Sequence, residues 1–289
     1  MGRGLFKKLL HSLEKKGDTL PDSRNTEHNF WYSIRDALTC AFGVFFFQHP
    51  SMLDYQRQMQ KKRRRTNMKT IFGVHKIPSD TQIRTLIDRI APDTFGGIFN
   101  EILQRADEYK VLDSYRVLDG GVLIALDGVW YHSSQKIHCK RCLHKSKDGI
   151  TTYYHTILAG TIVKPGETEV LPVMGEMIGN EDGEEKQDCE RNAMKRWLST
   201  HSEEYKWLKP TLLGDDLFSN YPICKAITEK GMSFIFTCKE DTHPWLTETV
   251  KNSYLEEKTT REWNGRHHVV HRYRWLNGVD YGTNERRWR

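Results

Sequence analysis

The spacing of apolar residues divides the 289-residue chain into a helical first part and a second part in which strands and helices alternate. Over residues 80–90 apolar side chains recur at i, i+3, i+4 and i+7, the spacing of one helix face. Pro92 interrupts this pattern, and a second helical set follows over residues 95–103. The two sets predict either a helix-turn-helix or a plain helical hairpin.

From Val117 onward the pattern is typical of strands. Three strand-like runs come first, with a Lys-Pro-Gly turn between the second and the third, which indicates an antiparallel opening. A helix, a strand, a helix and a strand follow, so that the order is three strands, helix, strand, helix, strand. This is the order of a ribonuclease-H-like fold. The predicted strands cover residues 122–126, 151–163, 170–173, 212–213 and 233–237.

Positive charge is concentrated in the amino-terminal quarter. Residues 1–76 contain 15 Lys and Arg against 6 Asp and Glu, a local net charge of +9 compared with +6 for the whole chain. Such an excess favours a polyanionic partner. The densest basic run, interpreted either as a phosphate-binding segment or as a solvated loop, is Lys61, Lys62, Arg63, Arg64 and Arg65.

The carboxyl-terminal segment is also basic. Over residues 258–289 basic side chains alternate with Trp and Tyr, a mixture that suits phosphate contact and base stacking. A twisted hairpin with an aromatic face would give the same pattern.

Several function classes are excluded by what the chain lacks. The longest apolar run, residues 37–47, is too short to cross a bilayer, so we expect no membrane partner. No secretory signal is visible and the six cysteines are scattered, which favours a reducing cytoplasm. Neither a phosphate-binding Walker loop nor a dinucleotide-binding glycine motif occurs, so ATP-dependent and redox functions have little support.

One cysteine pair has the spacing of metal ligands. Cys139 and Cys142 form a C-x-x-C, and His132, His138 and His144 lie nearby in the sequence. Zn²⁺ accepts these ligand types in tetrahedral sites. A second spaced pair is missing, so a pair of metal-free thiols is the alternative interpretation.

Two carboxylates end apolar, strand-like runs. Asp127 closes residues 123–127, and Asp215 and Asp216 close a second run that begins at Leu212. Burying a carboxylate at the end of a strand is costly unless a cation or hydrogen bonds compensate it, so the pair predicts a shared metal site. Mg²⁺ prefers such oxygen ligands, and Mn²⁺ is the alternative ion. Asp119, in another Leu-Asp-Gly, is the weaker candidate because no strand-like run precedes it.

The stretches LIALDG, KQDCERNAMKRWL and LLGDDLFS, in this order and spacing, resemble DDE transposases of the insertion-sequence-four family. The resemblance covers about residues 30–275. It implies a ribonuclease-H-like core in which Asp127 and Asp215, favoured over Asp216, hold Mg²⁺ for DNA cleavage and strand transfer. It also implies double-stranded DNA at element ends and target as the partner, and a bacterial cytoplasmic location. A homodimer remains open.

In that family the third carboxylate is a Glu on a later helix. The helix has the pattern Y-x₂-R-x₃-E-x₆-K, and this chain does not contain the pattern. The resemblance therefore implies a chain that stops before this helix. The expected organisation is a helical, basic DNA-binding region at 1–115, an incomplete catalytic core at 116–250 and the start of a β-rich insertion at 251–289. The remaining late carboxylates, interpreted as surface charges, are Glu256, Glu257, Glu262 and Glu285.

Three functions follow from these observations. The first is a DNA transposase, or a truncated one. The second is a catalytically dead remnant that binds DNA, and the missing carboxylate favours it. The third is an unrelated metal-dependent nuclease.

Overall fold

A computed structural model describes residues 2–22, 24, 31–179 and 188–279 of the chain, without the side chains of residues 2, 3 and 62–66. The chain divides into two compact units, residues 1–115 and 116–289. Among the described residues, no helix has both the length and the apolar character that crossing a membrane would require.

The first unit is helical. Serines begin three of its helices: the side chains of Ser33, Ser51 and Ser79 each accept a backbone N–H from the first turn. Its core includes the buried side chains of Tyr55 and Met68, which are joined by a 3.0 Å contact between Oη and Sδ. The helices are α1 (Gly2–Thr19), α2 (Ile34–Phe46), α3 (Met52–Met59), α4 (Lys62–Phe72), α5 (Asp80–Ile87) and α6 (Gly96–Glu108).

The helix pair predicted around Pro92 is present as α5 and α6. A short 3₁₀ turn, Pro92–Phe95, separates them, with the proline at its first position. Helix α5 packs mainly against α2, whereas α6 packs mainly against α1. The two helices therefore do not form the closely packed pair of a helix-turn-helix.

In its described residues, 116–179 and 188–279, the second unit contains a mixed sheet, a separate hairpin and three α-helices. Its elements are β1 (Arg116–Val117), β2 (Gly121–Ser134), β3 (Leu143–Lys147), β4 (Ile150–Val163), β5 (Leu171–Ile178), α7 (Glu190–Tyr205), β6 (Thr211–Gly214), α8 (Tyr221–Glu229), β7 (Ser233–Phe236), α9 (Pro244–Asn252), β8 (Glu256–Trp263) and β9 (His268–Trp275). The central strands β2, β4 and β6 contain the predicted apolar runs and are the most buried in those runs.

The topology of the main sheet matches the predicted order. Strands β5, β4, β2, β6 and β7 lie side by side in this sequence. The pairs β5–β4 and β4–β2 are antiparallel, and β2–β6 and β6–β7 are parallel. The predicted fold class, a helical region followed by a ribonuclease-H-like mixed sheet, is confirmed. The predicted β-rich segment at the carboxyl end consists, in the described residues, of the β8–β9 hairpin, which forms a separate two-stranded sheet.

Strand β2 is longer than the sequence pattern predicted. It continues past Leu126 to Ser134 and pairs with β4 over nearly its whole length. A register shift between Trp130 and His132 marks a β-bulge at Tyr131. Strand β3, which was not predicted, pairs with the first half of β4, so that β2, β3 and β4 form an extended arm of the sheet.

Candidate functional site

The two predicted aspartates lie in register on neighbouring parallel strands, Asp127 in the middle of β2 and Asp215 just after β6. Strands β2 and β6 run in parallel with Ala125 opposite Leu213. Asp127 follows Ala125 by two residues and Asp215 follows Leu213 by two residues, so the same register places them beside each other. Because β6 ends at Gly214, Asp215 lies just beyond its carboxyl end.

Each of these aspartates is oriented by the backbone next to it. The Gly128 N–H donates to Asp127 Oδ1 at 2.8 Å, and the Leu217 N–H donates to Asp215 Oδ1 at 2.9 Å. Both side chains are exposed. A carboxylate has about four lone-pair sites, so one backbone donor leaves capacity for a cation.

Asp216 has a different environment. It accepts the Lys239 N–H at 2.7 Å and the Thr242 hydroxyl at 2.7 Å, and His243 Nε2 lies 3.2 Å from its Oδ1. The backbone N–H of Lys239, followed by the Thr242 hydroxyl, lowers the pKa of Asp216. Asp216 therefore fixes the loop after β7, whereas it is the charge of Asp215 that acts on Glu190.

A third carboxylate, Glu190, reaches this site from the start of α7. A Cβ added at Gly128 would overlap Oε1 and Cδ of the Glu190 side chain and would lie 2.9 Å from its Cγ. Burial, followed by the charges of Asp127 and Asp215, raises the pKa of Glu190. The charges of Asp127 and Asp215 thus act on Glu190, although the ligand oxygens of these three described residues do not all lie within 4.8 Å of one another. The glycine at position 128 is required because the Glu190 side chain occupies the space of a side chain there.

The position of Glu190 depends on how α7 packs against β5. The indole Nε1–H of Trp197 donates to Met174 O at 2.7 Å, and the Met174 N–H donates to the Tyr205 hydroxyl at 2.9 Å. Trp197 and Tyr205 are completely buried. These bonds fix the helix on the sheet with its amino terminus at the carboxylates.

The first turn of α7 is fixed by an ion-pair network. Arg196 donates to Glu176 Oε1 at 2.7 Å, to Asp188 Oδ2 at 2.7 Å and to the Met177 carbonyl at 2.9 Å. Asp188 also accepts the N–H of Cys189, the residue before Glu190. An acidic residue in the first turn interacts favourably with the helix dipole, which offsets part of the repulsion from the two aspartates.

Sequence reasoning missed Glu190, although KQDCERNAMKRWL contains it. The late carboxylates considered instead lie elsewhere: Glu256, Glu257 and Glu262 are on β8. Hydrogen bonding to Arg274 lowers the pKa of Glu257, and Glu262 lies 3.6 Å from His271. Glu285 lies outside the described residues.

The second Leu-Asp-Gly serves as an internal comparison. Asp119 is exposed in a short 3₁₀ turn, Leu118–Gly120, with a φ of 56°, and it is not at the end of a buried strand. Its geometry gives no support to a role in the site.

A separate group of soft ligands lies on the extended arm. Cys139 Sγ and Cys142 Sγ are 3.8 Å apart, and each lies 3.3 Å from His155 Nε2. These three residues can hold a metal ion. Burial, followed by the charge of His132, lowers the pKa of His155, a direction that favours the neutral imidazole over the imidazolium.

His155 was not among the predicted ligands. It lies on β4, and the β3–β4 hairpin brings it back to the cysteines. The spacing C-x₂-C-x₁₂-H matches the first three ligands of a two-Cys, two-His zinc pattern, but no second His follows three to five residues after His155. Of the predicted histidines, His138 and His144 pack against Tyr153, with ring centroids 4.1 Å and 6.2 Å away. His132 lies beside His155, with ring centroids 5.9 Å apart.

Comparison with protein-family models, with curated proteins and with solved structures finds no match to the chain. Interpretation of the site therefore depends on the residues and distances described above.

The predicted DNA-binding run begins helix α4. Lys61 is the residue before the helix, and its Nζ donates to Gln58 Oε1 at 3.0 Å. The backbone is helical from Lys62, so the run is not the loop of the alternative interpretation. The side chains of Lys62, Arg63, Arg64 and Arg65 lie outside the described part.

Proposed function

We propose that the chain is a DNA transposase that cleaves phosphodiester bonds at element ends and joins the freed ends to target DNA. The observation that carries this proposal is that Asp127 and Asp215 lie in register on two neighbouring parallel strands, with Glu190 near enough for their charges to add to the effect of burial on its pKa. Three carboxylates on a sheet of this topology suit metal-dependent phosphoryl transfer. The presence of a third carboxylate weakens the case for a catalytically dead remnant.

The donor set at this site fits Mg²⁺. All three groups are carboxylates, the hard oxygen ligands that Mg²⁺ prefers, and Mn²⁺ is the alternative ion. The raised pKa of Glu190 reports mutual repulsion together with burial, and a divalent cation would relieve that repulsion. When bound, such ions activate an attacking oxygen and stabilise the leaving one.

The chain's own contribution is orientation. The Gly128 N–H holds one oxygen of Asp127, and the Leu217 N–H holds one oxygen of Asp215, so each carboxylate keeps lone pairs for a cation. The packing of α7 on β5 holds the Glu190 side chain against Gly128, next to Asp127 in β2. Positioning of this kind dominates phosphoryl transfer, because the protein takes little part in the covalent chemistry.

For the group at Cys139, Cys142 and His155 we propose Zn²⁺. Thiolate sulfur and imidazole nitrogen are ligands that zinc accepts readily and Mg²⁺ does not. Metal–ligand lengths of about 2.3 Å for sulfur and about 2.0 Å for nitrogen give tetrahedral separations of about 3.8 Å between sulfurs and about 3.5 Å between sulfur and nitrogen. The separations in the structure are 3.8 Å and 3.3 Å.

The proposed partner is double-stranded DNA, supported by the +9 excess of residues 1–76. The proposed location is the bacterial cytoplasm. All six cysteines lie in the described residues and none is in a disulfide, which suits a reducing compartment. A homodimer is tested by the mass of the protein in solution.

The test is Mg²⁺-dependent cleavage and joining of DNA that contains the chain's gene with its flanking sequence. Asp127→Asn, Asp215→Asn and Glu190→Gln should each abolish both activities. Asp119→Asn is the matched control: it changes the same Leu-Asp-Gly motif outside the site, and Asn tolerates a positive φ. This control should act like the unaltered protein.

Two results would redirect the proposal. Cleavage without joining, still dependent on the three carboxylates, would indicate the metal-dependent nuclease. DNA binding without metal-dependent cleavage under any of these conditions would indicate the non-catalytic remnant.

A further inference from the structure

The arm that holds the soft-ligand group is strongly basic. Five cationic residues and no carboxylate occur between residues 135 and 147, and all five side chains are exposed. Two of them stand between the two cysteines in the sequence. The five cations, together named the basic arm, are Lys136, Lys140, Arg141, Lys145 and Lys147.

A further histidine, His132, lies beside the three-residue group, although its ring nitrogens are not within 4.8 Å of all three ligand atoms of that group. His132 on β2 is the direct cross-strand partner of His155 on β4. The β-bulge at Tyr131 places one extra residue before His132, and the Tyr131 ring stacks on His155 at 5.6 Å. His132 Nε2 makes only a long 3.5 Å contact with the Ile137 carbonyl, so a side-chain rotation toward the metal breaks no strong bond.

The basic arm adjoins the carboxylate site through strands β2 and β4. Lys145 Nζ lies 4.4 Å from the ring centroid of Trp130, which stacks on Tyr154 at 4.1 Å. Trp130 is two residues from Gly128 on the same face of β2, where Glu190 lies. From Asp127 to His132 the strand covers about 15 Å, which is the length of four to five nucleotides of one DNA strand.

We propose that Cys139, Cys142, His155 and His132 bind one zinc ion, which fixes the basic arm as a contact surface for the phosphate backbone of duplex DNA. The inference rests on the proposed function, because the duplex is the substrate of the adjacent carboxylates. A fixed loop presents its cations without the ordering cost that a mobile loop would pay on binding. Zinc is held by four protein ligands in structural sites, and His132 supplies the fourth.

The metal site is tested on the full chain by zinc titration and by the visible spectrum of the Co²⁺-substituted protein. One zinc per chain is expected, with a tetrahedral Co²⁺ spectrum. His132→Ala should change that spectrum and weaken zinc binding at least tenfold, since even partners outside the ligand shell contribute about 10- to 100-fold. His138→Ala, next to Cys139 in the sequence but packed on Tyr153, is the control and should change neither.

Absence of zinc binding, or a Cys139–Cys142 disulfide in its place, would overturn the metal site. An unchanged spectrum in His132→Ala would overturn the fourth ligand.

The DNA contact is tested by fluorescence anisotropy of labelled duplex over a range of salt concentrations, with zinc-loaded full chain and no added Mg²⁺. The variant is Lys140→Gln with Arg141→Gln. Loss of two phosphate contacts should reduce the salt slope by about 2. The control is Lys206→Gln with Lys225→Gln, which removes equal charge from lysines paired with Glu203 and Glu229, and should keep the slope.

Removing zinc with a chelator, followed by dialysis, should weaken DNA binding to the level of the double variant, and added Zn²⁺ but not Mg²⁺ should restore it. An unchanged slope in the double variant, or full affinity without zinc, would overturn the basic arm as a DNA surface. Because these assays contain no Mg²⁺, failure of the cleavage test would leave their outcome unaffected, and the two proposals can fail separately.

Discussion

Replacing Gly128 with alanine should disable the carboxylate site while leaving the fold intact. The added methyl group would occupy the space of Glu190 Oε1 and Cδ, and would come within 2.9 Å of Cγ. The obstructing atoms belong to the end of a flexible side chain, so the backbone need not move. The carboxylate must instead retreat by about 1 Å or more, and a misplacement of about 1 Å can cost on the order of a hundredfold in rate.

Two assays measure this effect. The first is the metal-dependent cleavage rate, expected to fall about a hundredfold. The second is the rise in melting temperature on adding Mg²⁺ or Mn²⁺, which reports binding to the folded state and needs no DNA. This rise should shrink in Gly128→Ala, whereas the melting temperature without metal should change little.

The control is Gly97→Ala in α6, where an added Cβ meets nothing within 4 Å. It should stabilise the helix slightly and leave the metal response unchanged. The double variant Gly128→Ala with Glu190→Asp shortens the obstructing side chain, so its defect should be smaller than the sum of the two single defects. Full activity in Gly128→Ala, or strictly additive defects, would show that Glu190 does not act in the site.

Three further outcomes are expected. Glu190→Gln should raise the melting temperature of the metal-free protein and abolish its response to Mg²⁺. Burial and two carboxylates raise the pKa of Glu190 above 4.5, so the stability of the unaltered protein should fall as the pH rises through that raised value. Melting curves across pH should show this fall in the unaltered protein but not in the variant. Asp216→Asn should lower the melting temperature but keep the Mg²⁺ response, because Asp216 anchors the loop at Lys239. The pKa of Asp216 is lowered, so the stabilisation that its carboxylate provides should be lost on acidification. An unstable variant without a Mg²⁺ response would contradict the structural role of Asp216. Tyr205→Phe should leave the buried Met174 N–H without its acceptor and cost about 1–3 kcal/mol in urea unfolding, and an unchanged midpoint would contradict the proposed fixing of α7.

The sheet was predictable because its strands are apolar runs separated by turns. The order of strands and helices can be read from short stretches of sequence. That order is typical of a ribonuclease-H-like fold, in which the strands corresponding to β2 and β6 are neighbours, as they are here. Since the carboxyl ends of parallel neighbours lie together, Asp127 and Asp215 could be paired from sequence alone. The extension of β2 to Ser134 was missed because its outer half is exposed and lacks an apolar run.

The third carboxylate could not be identified in the same way. Glu190 is one acid in an acidic stretch, and nothing in its local sequence distinguishes it from a surface charge. Its role depends on the register between strands, on the packing of α7 through Trp197 and Tyr205, and on the missing side chain at Gly128. These are long-range properties. In chain order the proposed site is Asp, Glu, Asp, whereas the resemblance implies a final Glu beyond Asp215.

The β8–β9 hairpin forms its own sheet and, among the described residues, pairs with no strand of the main sheet. Residues inserted into it or deleted from it would therefore shift no register between β2 and β6. The spacing of the three carboxylates does not depend on the length of the hairpin. This segment can diversify over evolutionary time, in length and in surface chemistry, while the positions of Asp127, Glu190 and Asp215 remain constant.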